Sequence, residues 1–122
     1  MSDFTVLNLP GFQDERGGLT VLEKILPFDI RRAYWIYNAA GQTRGGHRHH
    51  ETRQALVAVS GEVTVYMNDG KQMREVLLSH PGQCLLVEPE DWHSMTFGDN
   101  AVLLVLASHP YDKNDYINEA YA

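Results

Sequence analysis

A chain of 122 residues has room for one domain, 1–122, and none for a second. A domain of this length buries roughly two-thirds of the surface its unfolded chain exposes, so it can hold a core without disulfide or metal staples. With 43% hydrophobic residues, 21% charged residues and a formal net charge of −6, it reads as an ordinary globular protein, and the charge argues against a nucleic-acid partner bound through its phosphate backbone.

A nucleotide ligand stays open, because a few placed Arg or Lys side chains suffice for a diphosphate. The lone Cys84 has no internal disulfide partner and is read as a small buried hydrophobe. Met1-Ser2-Asp3 lacks the basic and apolar parts of a signal peptide. No window reaches the about 20 apolar residues of a membrane span. The expectation is a cytoplasmic protein without membrane contact.

Along the chain, turn signals recur at Pro10-Gly11, Gly17-Gly18, Gly41, Gly45-Gly46, Gly61, Asn68-Asp69-Gly70, Pro81-Gly82, Pro89 and Gly98-Asp99-Asn100. Between them lie short runs rich in β-branched and aromatic residues, predicted as strands over 19–22, 33–37, 55–59, 62–67, 75–78, 84–87 and 102–106. Short strands at this spacing indicate an all-β sandwich or barrel. Asp69-Gly70 favours a tight turn, which predicts antiparallel pairing of 62–67 with 75–78. The polar, aromatic tail 111–122 reads equally as a short helix or as an arm across the barrel.

The chemistry concentrates in 41–51. Residues two apart in a strand share a face, so His47 and His49 project together, with Arg48 and His50 pointing away. His80 and His109 precede prolines in loops and read as structural or solvent-facing. His93 closes the run Pro89-Glu90-Asp91-Trp92-His93, a placement that can return it to the same cavity. On 33–37, Trp35 and Tyr37 share one face and Tyr34 and Ile36 the other; packing and ligand contact compete as their roles.

Gly41, five residues, His47-x-His49, four residues, Gln54, six residues and Gly61 resemble the first cupin motif, and Gly82, Pro89 and His93 loosely resemble the second. The fold implied is all-β, a single RmlC-like cupin jelly-roll barrel with a short C-terminal tail. Metal-binding cupins usually carry a Glu ligand where Gln54 stands, and a neutral amide is a weak ligand. No metal and no cofactor are therefore expected.

A narrower resemblance covers nearly the whole chain. Asp14-Glu15-Arg16-Gly17-Gly18-Leu19, Pro27-Phe28-x-Ile30-x-Arg32, Arg44-Gly45-Gly46-His47-x-His49, Asn68-Asp69-Gly70, Leu106-Ala107-Ser108, Tyr111-Asp112 and Asp115-Tyr116-Ile117 look like the FdtA-type, WxcM-like 3,4-ketoisomerases of dTDP-4-oxo-6-deoxyglucose. The resemblance implies a dTDP-linked deoxysugar substrate, homodimers, and a role in making deoxysugars for surface polysaccharide. It assigns His49 as base and His47 as its proton-shuttling partner, and it implies an active-site tyrosine among Tyr34, Trp35 and Tyr37. A tyrosine position falling at Trp35 would be a departure from the family pattern.

Moving a ketone from C4 to C3 needs a base and an acid near neutral pH, and histidine serves both roles. Arg44 is the first candidate for the diphosphate or an enediolate oxygen, with a surface salt bridge as its competing role; Arg16 and Arg32 carry the same two readings. Gln54 is read as a hydrogen-bond partner of a sugar hydroxyl or as packing, and His93 as a further substrate contact. The alternatives are an epimerase on a related dTDP-sugar, or a non-catalytic sugar- or metal-binding cupin.

Overall fold

The computed structural model describes residues 3–122. In chain order the strands are β1 (Val6–Asn8), β2 (Gly11–Asp14), β3 (Gly17–Thr20), β4 (Arg32–Ile36), β5 (Thr43–His49), β6 (Gln54–Ser60), β7 (Val63–Asn68), β8 (Met73–Leu78), β9 (Gln83–Val87), β10 (Trp92–Phe97), β11 (Val102–Ala107) and β12 (Tyr116–Ile117). Among the described residues the only other regular element is a 3-10 turn at Lys113–Asp115. One sheet has the order β1-β9-β6-β11-β4 and the other β12-β5-β10-β7-β8, while β2 and β3 pair only with each other. All strand pairings are antiparallel. This is the cupin jelly roll.

The core lies where the two sheets face each other, and it follows from alternation. Val63, Val65 and Met67 of β7 and Met95 and Phe97 of β10 point inward onto Leu56, Leu85, Leu103 and Val105. Each such side chain, fully withdrawn from water, stabilises the fold by roughly 1.5–3 kcal/mol. Strand β6 breaks the alternation, since Ala55 and Val57 are buried as well. The segment after β3 crosses the outer side of that sheet, laying Leu22, Leu26 and Phe28 against Ala55, Val57, Cys84 and Leu106. Cys84 is thus a buried hydrophobe, and burial pushes its thiol up to about 11.

Two local expectations can be compared with the structure. β7 and β8 pair antiparallel, with Asn68 opposite Met73 across a loop that Asp69 closes by accepting from the amides of Lys71 and Gln72. The run 19–22 is strand only as far as Thr20, because Leu22 is drawn onto the second apolar cluster.

The tail combines both of its predicted forms: a single 3-10 turn, capped by Asp112 accepting from the Asn114 amide, then a two-residue strand on the edge of β5. Asp115 fastens it by accepting from the Glu51 amide at 2.8 Å, the Thr52 amide at 3.1 Å and the Thr52 hydroxyl. Further along, the Tyr121 hydroxyl donates to the carbonyl of Glu90, and Arg48 lies over the Tyr121 ring. Among the described residues no helix is long and apolar enough to cross a membrane.

Candidate active site

Two glycines set the interior of β5. Opposite β10, His47 pairs with His93 but Gly45 with Ser94, so Gly46 is an extra, bulged residue. Arg44 and His47 are three apart, and strict alternation would send them to opposite faces. The bulge restores the phase: Arg44 lies opposite the inward-facing Met95 and His47 opposite the inward-facing His93. Gly45 and Gly46 have φ of +87° and +81°, the left-handed region that glycine occupies without strain. At Gly45 a Cβ would also lie 3.0 Å from the carbonyl oxygen of His93.

The result is a cluster of three imidazoles. His47 and His49 have ring centroids 5.1 Å apart, His47 and His93 5.1 Å, and His49 and His93 6.2 Å. His49 is 3% exposed and His93 1%. Burial, reinforced by the neighbouring His47 and Arg32 and opposed by Asp115, lowers His49 to about 4. Burial lowers His93 to about 3, against the hydrogen bond of its Nδ1 to the Asp91 carbonyl. His47 is lowered less, also by burial, and a hydrogen bond to the Gly45 backbone resists that shift. All three rings are neutral at pH 7, the state in which an imidazole accepts a proton. Both ring nitrogens of His49 are buried without a hydrogen-bond partner.

The facing sheet supplies polar groups. Gln54 donates from Nε2 to the Tyr34 hydroxyl at 3.3 Å, and its Oε1 is buried without a partner. Tyr34 is raised above the usual phenol range by burial and by Tyr116, against the charges of Arg32 and Arg44 and the Gln54 bond. The Arg32 guanidinium lies between two rings, 4.5 Å from the centre of Tyr34 and 5.2 Å from that of Tyr111. Over the histidines sits Tyr116, its ring centroid 4.7 Å from both His47 and His49. Burial would raise the Asp115 carboxyl beside it, but hydrogen bonds from Thr52 and Glu51 and the nearby His49 lower it.

Gln54, where metal-binding cupins usually carry a Glu ligand, is a neutral amide bonded to Tyr34 and a weak metal ligand. Among the described residues no group of three or more His, Cys, Asp or Glu is placed to hold a metal ion.

Of the candidates from the sequence, His47, His49, His93, Gln54, Tyr34, Arg32 and Arg44 come to this side of the sandwich. Three do not. Trp35 and Tyr37, 60% and 59% exposed, point outward because they alternate with the inward Tyr34 and Ile36. Arg16 lies at the exposed turn of the β2–β3 hairpin, paired with Asp14, and makes no contact with the histidines. Tyr34 is therefore the inward tyrosine of β4. Sequence reasoning assigned no site role to Tyr111, Asp115 or Tyr116; their signal was the tail motifs Tyr111-Asp112 and Asp115-Tyr116-Ile117, which have no periodicity to aim them at the histidines.

The family model described as FdtA: WxcM-like, C-terminal, matches residues 2–122. The chain belongs to this WxcM-like family. It is 39% identical over 118 residues, 93% of this chain and 85% of the relative, to the TDP-4-oxo-6-deoxy-alpha-D-glucose-3,4-oxoisomerase of Aneurinibacillus thermoaerophilus. Among solved structures, the WlaRB TDP-quinovose 3,4-ketoisomerase of Campylobacter jejuni superposes with a TM-score of 0.91 at 36% identity, over 98% of this chain and 95% of the other. A mutant of the 3,4-ketoisomerase QdtA from Thermoanaerobacterium thermosaccharolyticum, in complex with TDP-4-keto-6-deoxyglucose, gives 0.91 at 33% identity, over 98% and 90%. In this WxcM-like chain the histidines sit on the same inner wall as the bulge of β5, which ties the family motif Arg44-Gly45-Gly46-His47-x-His49 to one structural device.

Proposed function

We propose that this protein is a nucleotide-sugar isomerase that moves the keto group of dTDP-4-oxo-6-deoxyglucose from C4 to C3. The observation that carries the reading is the neutral His47–His49 pair, 5.1 Å apart on one inner wall. That spacing suits two groups serving adjacent carbons of one ring.

His49 takes the proton from C3 as general base. The electron pair shifts into a C3–C4 double bond, and the C4 oxygen, gaining charge and then a proton, becomes the second hydroxyl of an enediol. The C3 hydroxyl then gives up its proton as its oxygen becomes the ketone, and C4 receives one, with His47 carrying protons between these positions. Atoms and electrons balance within the substrate, so the step needs no oxidant, cofactor or metal. Arg32 and the Tyr34 hydroxyl are the donors suited to the developing oxyanion. Arg44, exposed at the end of β5, suits the diphosphate. Gln54 and His93 contact the sugar hydroxyls.

The same reading makes the product a deoxysugar precursor for surface polysaccharide, formed in the cytoplasm by one domain spanning 1–122. The working unit is a homodimer. Supporting this, β2 and β3 pair only with each other while presenting Phe12 and Leu19 at 62% and 63% exposure, and the outer face of edge strand β4 presents Trp35. Sedimentation of the intact protein at micromolar concentration should give a dimer, and Phe12→Asp with Leu19→Asp a monomer. A monomeric intact protein would remove the dimer.

The decisive experiment is incubation with dTDP-4-oxo-6-deoxyglucose in deuterated buffer. Solvent deuterium should enter at C3 or C4 and a 3-oxo sugar accumulate, and His47→Asn or His49→Asn should stop both without changing the circular dichroism. Failure of the intact protein to exchange would end the proposal.

A further inference from the structure

The tail motif Asp115-Tyr116-Ile117 has no part in the reaction as written above, yet it is the part of the tail that touches the imidazoles. Tyr116 lies opposite His49 in the β12–β5 pair. Its ring meets His47 at 67° and His49 at 62°, both edge-to-face, at 4.7 Å. Such geometry is attractive for aromatic rings. The ring is braced on two sides: Asp115 clamps the preceding backbone to Glu51 and Thr52, and the Tyr111 ring stands 5.7 Å away.

His49 needs such a brace. Neither of its ring nitrogens has a hydrogen-bond partner, so no hydrogen bond fixes how the imidazole is turned. The terminal torsion of histidine is broad, and packing alone must set it. His93 is different, since its Nδ1 is held by the Asp91 carbonyl. We infer that Tyr116 is a positioning residue of the site: its ring, held by Asp115 and Tyr111, fixes the mutual angle of the two imidazoles and keeps water from His49.

The catalytic half of this inference rests on the isomerase reading, whereas the half concerning His49 does not. The charged and titratable groups around His49 are His47 on its own strand, His93 on β10, Arg32 on β4, and Asp115 and Tyr116 on the tail. Among them Asp115 favours the imidazolium, His47 and Arg32 oppose it, and burial, to which the Tyr116 ring contributes, opposes it most.

The test follows the imidazole carbon-bound protons by NMR during a pH titration of the intact protein, Tyr116→Phe, Tyr116→Leu and Tyr116→Ala, alongside kcat and KM. Tyr116→Phe should titrate at His49 as the parent does and keep its kcat. Tyr116→Ala should move the His49 midpoint up by about one pH unit or more. It should also lower kcat about tenfold at pH 7 with KM little changed. Tyr116→Leu serves if the alanine variant does not fold, with a smaller shift in the same direction. An unmoved His49 midpoint in the truncated variants, or an alanine variant with parental kcat, overturns the inference. An intact protein without isomerase activity would defeat the proposed reaction while the His49 midpoint still decided the placing of Tyr116.

Discussion

His93 stands directly across the β5–β10 pair from His47, with the rings 5.1 Å apart and the Nδ1 of His93 3.0 Å from the carbonyl oxygen of Asp91. A carbonyl only accepts, so this nitrogen carries the hydrogen and Nε2 keeps its lone pair. The hydrogen bond fixes the tautomer and burial, working against that bond, keeps His93 a neutral imidazole beside the pair, where it adds no charge that would compete with theirs.

Acid should therefore unfold this protein early. His49 and His93 are lowered by burial to about 4 and about 3, below the ordinary histidine value. Between roughly pH 4 and 6.5 the unfolded chain binds protons that the folded one refuses, so stability rises with pH across this window and falls as pH drops through it. With both residues contributing, the slope approaches about 2–3 kcal/mol per pH unit near pH 5. Urea unfolding at pH 7, 6 and 5 measures it, and His93→Gln should flatten the dependence. A midpoint constant from pH 7 to 5 would contradict the neutral cluster.

The two glycines of the β5 bulge should differ in cost. Gly46→Ala strains a φ of +81° but meets nothing closer than the Trp92 ring at 3.8 Å, so about 1 kcal/mol is expected. Gly45→Ala adds to a φ of +87° a contact 3.0 Å from the His93 carbonyl and 3.1 Å from the Met95 sulfur, so it should cost about 2 kcal/mol or more. Only the latter should also disturb deuterium exchange at the sugar, since relief requires β10 to retreat and His93 with it. Equal unfolding midpoints for the two variants would refute this account of the bulge.

Tyr34→Phe should destabilise by about 0.5–1.5 kcal/mol, because it leaves the Gln54 amide nitrogen without its partner. A double-mutant cycle with Gln54→Leu isolates the pair. Additive effects would mean that the 3.3 Å contact contributes nothing.

Asp115→Ala removes the acceptor of the Glu51 and Thr52 amides and of the Thr52 hydroxyl. Hydrogen exchange of the Glu51, Thr52 and Tyr116 amides should accelerate about tenfold or more while the β6 and β11 amides stay protected. Uniform acceleration, or none, would deny Asp115 its role as the tail's fastening. The carboxyl is held below its usual range by these bonds, so its contribution is present above pH 4 and fades as pH falls below that.

Much of this was legible from residue pattern. A period of two placed His47 beside His49, and an Asp-Gly turn identified the β7–β8 pair. The edge strand β4 was harder: Tyr34, Trp35 and Tyr37 are aromatic on both faces, so no contrast in polarity showed which side faced the histidines. Arg16 looked like a ligand contact because its charge suits phosphate, whereas the hairpin fold of 11–20 holds it against Asp14. Tyr116 escaped notice because its place over the imidazoles is set by backbone pairing between residues 67 apart in sequence, and local pattern carries no information about that.

The inserted Gly46 has a consequence for altering this protein. Because one additional residue decides which side chains of β5 look inward, the stretch between Arg44 and His47 is constrained in count as well as in identity. Deleting Gly46 would turn Arg44 to the outer face of its sheet or the imidazole pair outward, whichever the surrounding strands resisted less.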